Sequence, residues 1–91
     1  MKRGNKNMIN KPNNIGQTTL NMLPTGKKAK VTTLLNDDAI RRRMLDLGLI
    51  SGTSVECLQK SPAGDPVAYL IRGAVIALRT EDSSHILIEM C

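Results

Sequence analysis

His85, Cys57 and Cys91 are the side chains on which nucleophilic, redox or metal chemistry in this 91-residue chain would have to rest. A single histidine with no second base makes a nucleophile, base and orienter set hard to assemble, and no glycine-rich phosphate loop or paired-carboxylate motif is present. Catalysis is therefore not the leading class, and no catalytic residue is assigned. His85 and Cys91 are the metal-ligand candidates, six residues apart in the last strand region, where their side chains share a side only if the strand stays regular. Neither belongs to a C-x-x-C or H-x-x-x-H unit, and no closed four-ligand site is visible. The plainer reading makes Cys57 a small buried hydrophobe and His85 an exposed polar neighbour.

The elements that must position these groups follow from composition. With one tyrosine and neither Phe nor Trp, any core is built from Val, Ile, Leu, Met and Ala, and the length allows one small domain. Two cysteines do not make a secreted disulfide framework. The opening "MKRGNKNMINKPNNIG" lacks the apolar stretch of an ordinary signal peptide, and the run from Ala74 to Leu78 is far short of the ~20 residues that cross a bilayer. A cytoplasmic location is expected. The net charge of +5 suggests nucleic acid, but Lys2, Arg3, Lys6 and Lys11 supply +4 of it before residue 17, leaving nine basic against eight acidic residues. Residues 1–17 read as a disordered basic tail and residues 18–91 as the domain. Tail-driven, salt-sensitive nucleic-acid binding is the third-ranked function. A near-neutral domain with one aromatic residue offers neither a base-stacking surface nor a groove for proline-rich peptides.

In "LPTGKKAKVTTLL" the alternation of Ala29, Val31 and Thr33 predicts a strand over about 29–35. "NDDAIRRRMLDLG" predicts a helix over about 38–47, with Asn36 or Asp37 accepting from free amides at its start and Gly48 in the left-handed position after its end. Ile40, Met44 and Leu47 share one face. Leu45 swings aside, expected under the Gly48 to Ile50 loop, and Arg42 points opposite, spaced to attract Asp38 and Asp46. "SVECLQK", "VAYLIR", "AVIALR" and "HILIEM" predict further strands, with Gly73 turning the middle pair and near-continuous apolarity implying cover on both their faces. The expected fold is mainly β, a small barrel of about five strands with one short α-helix.

Residues 18–90 resemble the FeoA family of ferrous iron transport accessory proteins. The resemblance is carried, in order, by "LNMLPTGKKAKVTTL", the helix end "RRRMLDLG", the strand "SVEC", the loop "SPAGDP", the hairpin "IRG", "ALR" and the closing "ILIEM". It departs from the family pattern at Met44, Ser51 and Ala63, where Leu, Pro and Leu are usual; Ala63 removes apolar area from the loop tip. The resemblance implies an SH3-like barrel, cytoplasmic location and action as an adaptor on FeoB, the ferrous iron transporter with a GTP-binding domain, without a cofactor. The partner-binding candidates are Arg41, Arg42, Arg43 and Leu45 on the helix and Pro62, Gly64, Asp65 and Pro66 in the loop. The loop residues are also sufficiently explained as a turn. The competing expectation is a metal-responsive module that binds a divalent transition metal weakly and directly. Similar modules end iron-dependent repressors of the diphtheria toxin repressor type, but seventeen tail residues cannot form the winged-helix domain that precedes them there.

Overall fold

The computed structural model describes residues 17–91, and the expected tail lies outside them except for Gln17, which begins the first strand. Strand β1 spans Gln17–Thr19 and runs into a single 3-10 turn, Leu20–Met22. Then come β2 (Lys28–Leu34), helix α1 (Asp38–Asp46), β3 (Ser54–Lys60), β4 (Val67–Ile71), β5 (Ala74–Leu78), the one-turn helix α2 (Thr80–Ser83) and β6 (Ile86–Met90). The strands form one antiparallel sheet of order β1-β6-β2-β3-β4-β5. That is six strands where sequence predicts about five. The addition, β1, is three residues of Gln and Thr with no apolar alternation to announce it.

β2 is the shared strand. Its first residues, Lys28 to Lys30, pair with β3, while Ala29 to Leu34 pair with β6. One strand serving two neighbours over different stretches curls the sheet. A register shift between Val31 and Thr33 undoes the expected alternation: Ala29 and Val31 are buried, Thr33 is exposed and Leu34 turns back toward the core. The irregularity is satisfied locally, since Thr32 Oγ1 donates to the Leu87 carbonyl at 3.1 Å.

The core is aliphatic except for Tyr69 and includes Leu20, Leu23, Val31, Met44, Leu49, Val55, Cys57, Ile71, Ile86 and Ile88. Cys57 and Tyr69 lie opposite each other on β3 and β4, and Tyr69 also pairs with Ile76 of β5. β1 and β5 do not pair with each other. α2 packs against the 3-10 turn, and the Tyr69 hydroxyl donates to the Leu20 carbonyl at 3.4 Å. The only aromatic ring thus ties the 3-10 turn to the sheet.

α1 forms where its caps say it should. Asp37 Oδ1 accepts from the Ile40 amide at 3.3 Å, Asp38 occupies the first turn, and Gly48 takes φ 100° after the last turn. Ile40, Met44 and Leu47 pack on the core as expected. We expect Asp37→Ala to cost about 1 kcal/mol in urea unfolding and Asp37→Asn a few tenths at most, because the asparagine oxygen still caps.

Cover over β4 and β5 does not follow the expectation. Val67, Tyr69 and Ile71 are buried, but Ala74, Val75 and Ala77 are exposed, Val75 by 66%. The apolar run of β5 arises from its place at a sheet edge, with one side on the core and the other unroofed. No described helix is long and apolar enough to cross a membrane.

Candidate functional site

The helix and loop candidates are joined through α2. Asp65, near the end of the β3–β4 loop, reaches across to the start of α2: its Oδ1 accepts from the Thr80 amide at 2.8 Å and from Thr80 Oγ1 at 3.2 Å. Its other oxygen lies 3.8 Å from the Arg79 guanidinium. One turn on, Asp82 of α2 meets Arg43 of α1 at 3.4 Å. Asn36, just before α1, donates from Nδ2 to the Asp82 carbonyl at 3.0 Å. Loop, α2 and α1 therefore form one connected stretch of surface.

Within it the side chains divide by engagement. Arg41 pairs with Asp38 at 3.3 Å, and Arg43 with Asp82. Arg42, expected to attract Asp38 and Asp46, has no ion pair among the described residues: Arg41 takes Asp38 at the (i, i+3) spacing, and Asp46 is unpaired there as well. These exposed pairs each contribute under about 1 kcal/mol and exchange readily for a stronger anionic partner. Leu45 is not covered by the Gly48 to Ile50 loop: it is 43% exposed, because Leu49 is the loop residue that turns into the core. Leu45 and Arg41 border a shallow groove floored by Val31 and Leu34 of β2.

The loop is a built turn. Gly64 N donates to the Ser61 carbonyl at 2.8 Å and Ser61 N to the Pro66 carbonyl at 3.3 Å, with Gly64 at φ 87° and a cis Asp65–Pro66 peptide. Pro62, Ala63 and Gly64 are exposed at its tip, whereas Asp65 and Pro66 are half-buried. The Asp65 carboxylate is already spent on Thr80 and Arg79, so the contact surface of the loop is its tip.

The metal candidates are separated. The Leu35 amide donates to the His85 carbonyl at one end of β2, and the Cys91 amide donates to the Lys28 carbonyl at the other. The five residues of β6 lie between them, about 20 Å at ~3.3 Å per residue. His85 Nδ1 sits 2.9 Å from the Glu81 carbonyl, which can only accept, so the proton is on Nδ1. Among the described residues, no three His, Cys, Asp or Glu side chains converge as a metal would need. Cys57 is fully buried, 3.9 Å from Thr25 Oγ1, and Cys91 is exposed.

Comparison with known proteins gives a consistent result. The family described as "FeoA domain" matches residues 18–90. A Porphyromonas gingivalis protein named as an Fe(2+) transport protein A/Fe(2+) transporter FeoB fusion is 32% identical over 71 residues; the match covers 78% of this chain and 8% of that protein. The FeoA protein of Chlorobium tepidum, solved in solution, superposes with a TM-score of 0.76 at 32% identity, covering 80% of this chain and 70% of that one. Stenotrophomonas maltophilia FeoA, solved with zinc and described as an SH3 domain protein possibly acting as a ferrous iron transport activating factor, has a TM-score of 0.72 at 29% identity. That alignment covers 79% of this chain and 89% of its counterpart. The chain thus spans a small fraction of the fusion protein and most of the two stand-alone structures.

Proposed function

Because this chain belongs to the FeoA family, with an SH3-like fold, we propose that it is a cytoplasmic accessory protein of ferrous iron uptake that docks on the cytosolic region of a FeoB-type transporter. The observation that carries the reading is the fusion relative: a single polypeptide named for both functions holds them at a permanent high local concentration, which suits parts that work in contact. The domain then acts by touch, with no bond-making of its own.

We place the contact on the connected surface of α1 and the β3–β4 loop. Arg42 supplies a cation with no ion pair among the described residues, Arg41 and Arg43 supply cations held only by exposed pairs, and Leu45 supplies apolar area beside them. Pro62 and Gly64 shape the loop tip, and Asp65 and Pro66 fix its base. On this reading Arg42→Glu weakens binding to the isolated cytosolic region of the transporter by about tenfold or more, since it replaces attraction with repulsion, while thermal unfolding stays put. Leu45→Ala weakens it by about 1–2 kcal/mol. Titration of the labelled domain, read by amide chemical shifts, checks both; unchanged shifts on α1 and the loop would show the surface is wrong.

A second reading, direct binding of a divalent transition metal, is favoured by the zinc complex of the Stenotrophomonas relative. It is tested by anaerobic calorimetry with ferrous, manganous and zinc ions, where a flat trace removes it. The separation of His85 from Cys91 directs any such site away from that pair.

A further inference from the structure

The sheet has two edges that differ in kind. β1 presents three polar residues, a short blunt edge. β5 presents Ala74, Val75, Ile76, Ala77 and Leu78, with no charge, no proline and no bulge among them. Its inward residues Ile76 and Leu78 pack on the core opposite Tyr69 and Val67, so the strand is held firmly by β4 on one side. On its other side no backbone hydrogen bond joins residues 74–78 to any described segment. Its outward side chains, Val75 and Ala77, sit beside Leu70 and Ala68 of β4 and make a continuous apolar strip that ends at this open edge.

Exposed apolar edges template pairing, and the charges around this one select the partner. β5 is bracketed by two exposed arginines, Arg72 and Arg79, seven residues apart. Arg72 has no ion pair among the described residues, and Arg79 holds Asp65 only at 3.8 Å. Two copies paired antiparallel over the full strand, about Ile76, would set Arg79 of each opposite Gly73 and next to Arg72 of the other, at both ends. Like charges so placed disfavour self-association. A strand with carboxylates at both ends turns the same two positions into attraction.

We propose that the free edge of β5 is a docking strand for an extended apolar segment of a partner protein, flanked on each side by carboxylates. The partner adds its backbone to the ladder, Val75 and Ala77 take its outward side chains, and Arg72 and Arg79 fix its register. This surface adjoins the α1 and loop surface, through Arg79 beside Asp65 and Arg72 over Gly48, but its docking element is the β5 backbone, and it stands whether or not the transporter is the partner.

The probe is a synthetic peptide with a short Val and Thr centre between Glu pairs, compared with the same centre between Lys pairs, each titrated into labelled full-length protein. We expect amide shifts and slowed hydrogen exchange centred on residues 72–79, with binding that weakens as salt is added. The Lys-flanked peptide should bind at least about tenfold more weakly, and Arg79→Glu should cost the Glu-flanked peptide about fivefold. Val75→Lys, at a 66% exposed position that leaves the core alone, should also weaken it and keeps the test open if Arg79→Glu disturbs the loop. Equal affinity for both peptides, shifts centred on α1, absence of binding, or dimers of the protein in sedimentation blocked by Val75→Lys would each overturn the proposal.

Discussion

Replacing Tyr69 by alanine should cost about 3–5 kcal/mol, a large share of the total stability of a domain this small. The ring is 1% exposed, lies between Cys57 and Ile76 in the sheet, and its hydroxyl reaches the Leu20 carbonyl. No other Phe, Tyr or Trp exists to fill the space. Tyr69→Phe separates the hydroxyl from the ring and should cost only about 1 kcal/mol at neutral pH, the loss of one buried hydrogen bond. Alkaline solution separates them further. Burial pushes the phenol from 10.0 up to about 12, tempered by Ser83, whose hydroxyl lies near without making a hydrogen bond of ordinary geometry.

A raised phenol pKa means that the native state keeps a proton the unfolded chain gives up. The contribution of Tyr69 is therefore complete below pH 10.0 and is lost as pH climbs through about 12, a decline on the order of 2–3 kcal/mol over that window. Lysines also titrate there, so the informative quantity is the difference between the natural protein and Tyr69→Phe. Urea midpoints of the two should converge, then cross, as pH rises through the window; parallel curves would show that the phenol is not enclosed. Tyrosinate absorbance reports Tyr69 alone, since the chain has one tyrosine.

Gly48→Ala is expected to be the second severe change, at about 1–3 kcal/mol. Gly48 stands at φ 100° after α1, a conformation that costs an L side chain strain wherever it occurs. A Cβ there would also run into Cδ of Arg72, whose side chain crosses from the β4–β5 turn to lie over the glycine. That turn is itself a left-handed pair, Arg72 at φ 51° and Gly73 at φ 83°, as a type I′ hairpin requires. The arginine can swing away, but the backbone strain stays. Arg72→Ala in the Gly48→Ala background should therefore recover only the steric part, and a double-mutant cycle on thermal unfolding measures the split.

How much of this was readable in the sequence depends on whether a signal was local. α1 carries its own start and stop in Asp37 and Gly48, and it appears within a residue of its expected end. β3 matches residue for residue. β1 left no trace because three polar residues have no period; only pairing with Leu87, Ile88 and Glu89 of β6 makes them a strand. Thr33 faces solvent because of a register shift that alternation does not encode. Arg42 has neither expected partner: helical spacing offers Asp38 to both Arg41 and Arg42 without ranking them, and it does not encode whether Asp46 is reached at all. The apolarity of "AVIALR" looks the same whether a strand is covered or stands at an edge, and the arginines on either side of the strand were the signal available for its exposure.

The two thiols are placed so differently that they serve as a clock and a handle. Cys57 is sealed within the core, and Cys91 stands free beyond the last strand, at the end of β6 away from His85 and α1. A maleimide dye therefore attaches to the native fold at one defined point without any engineering. Reaction at the second thiol times how often the core opens.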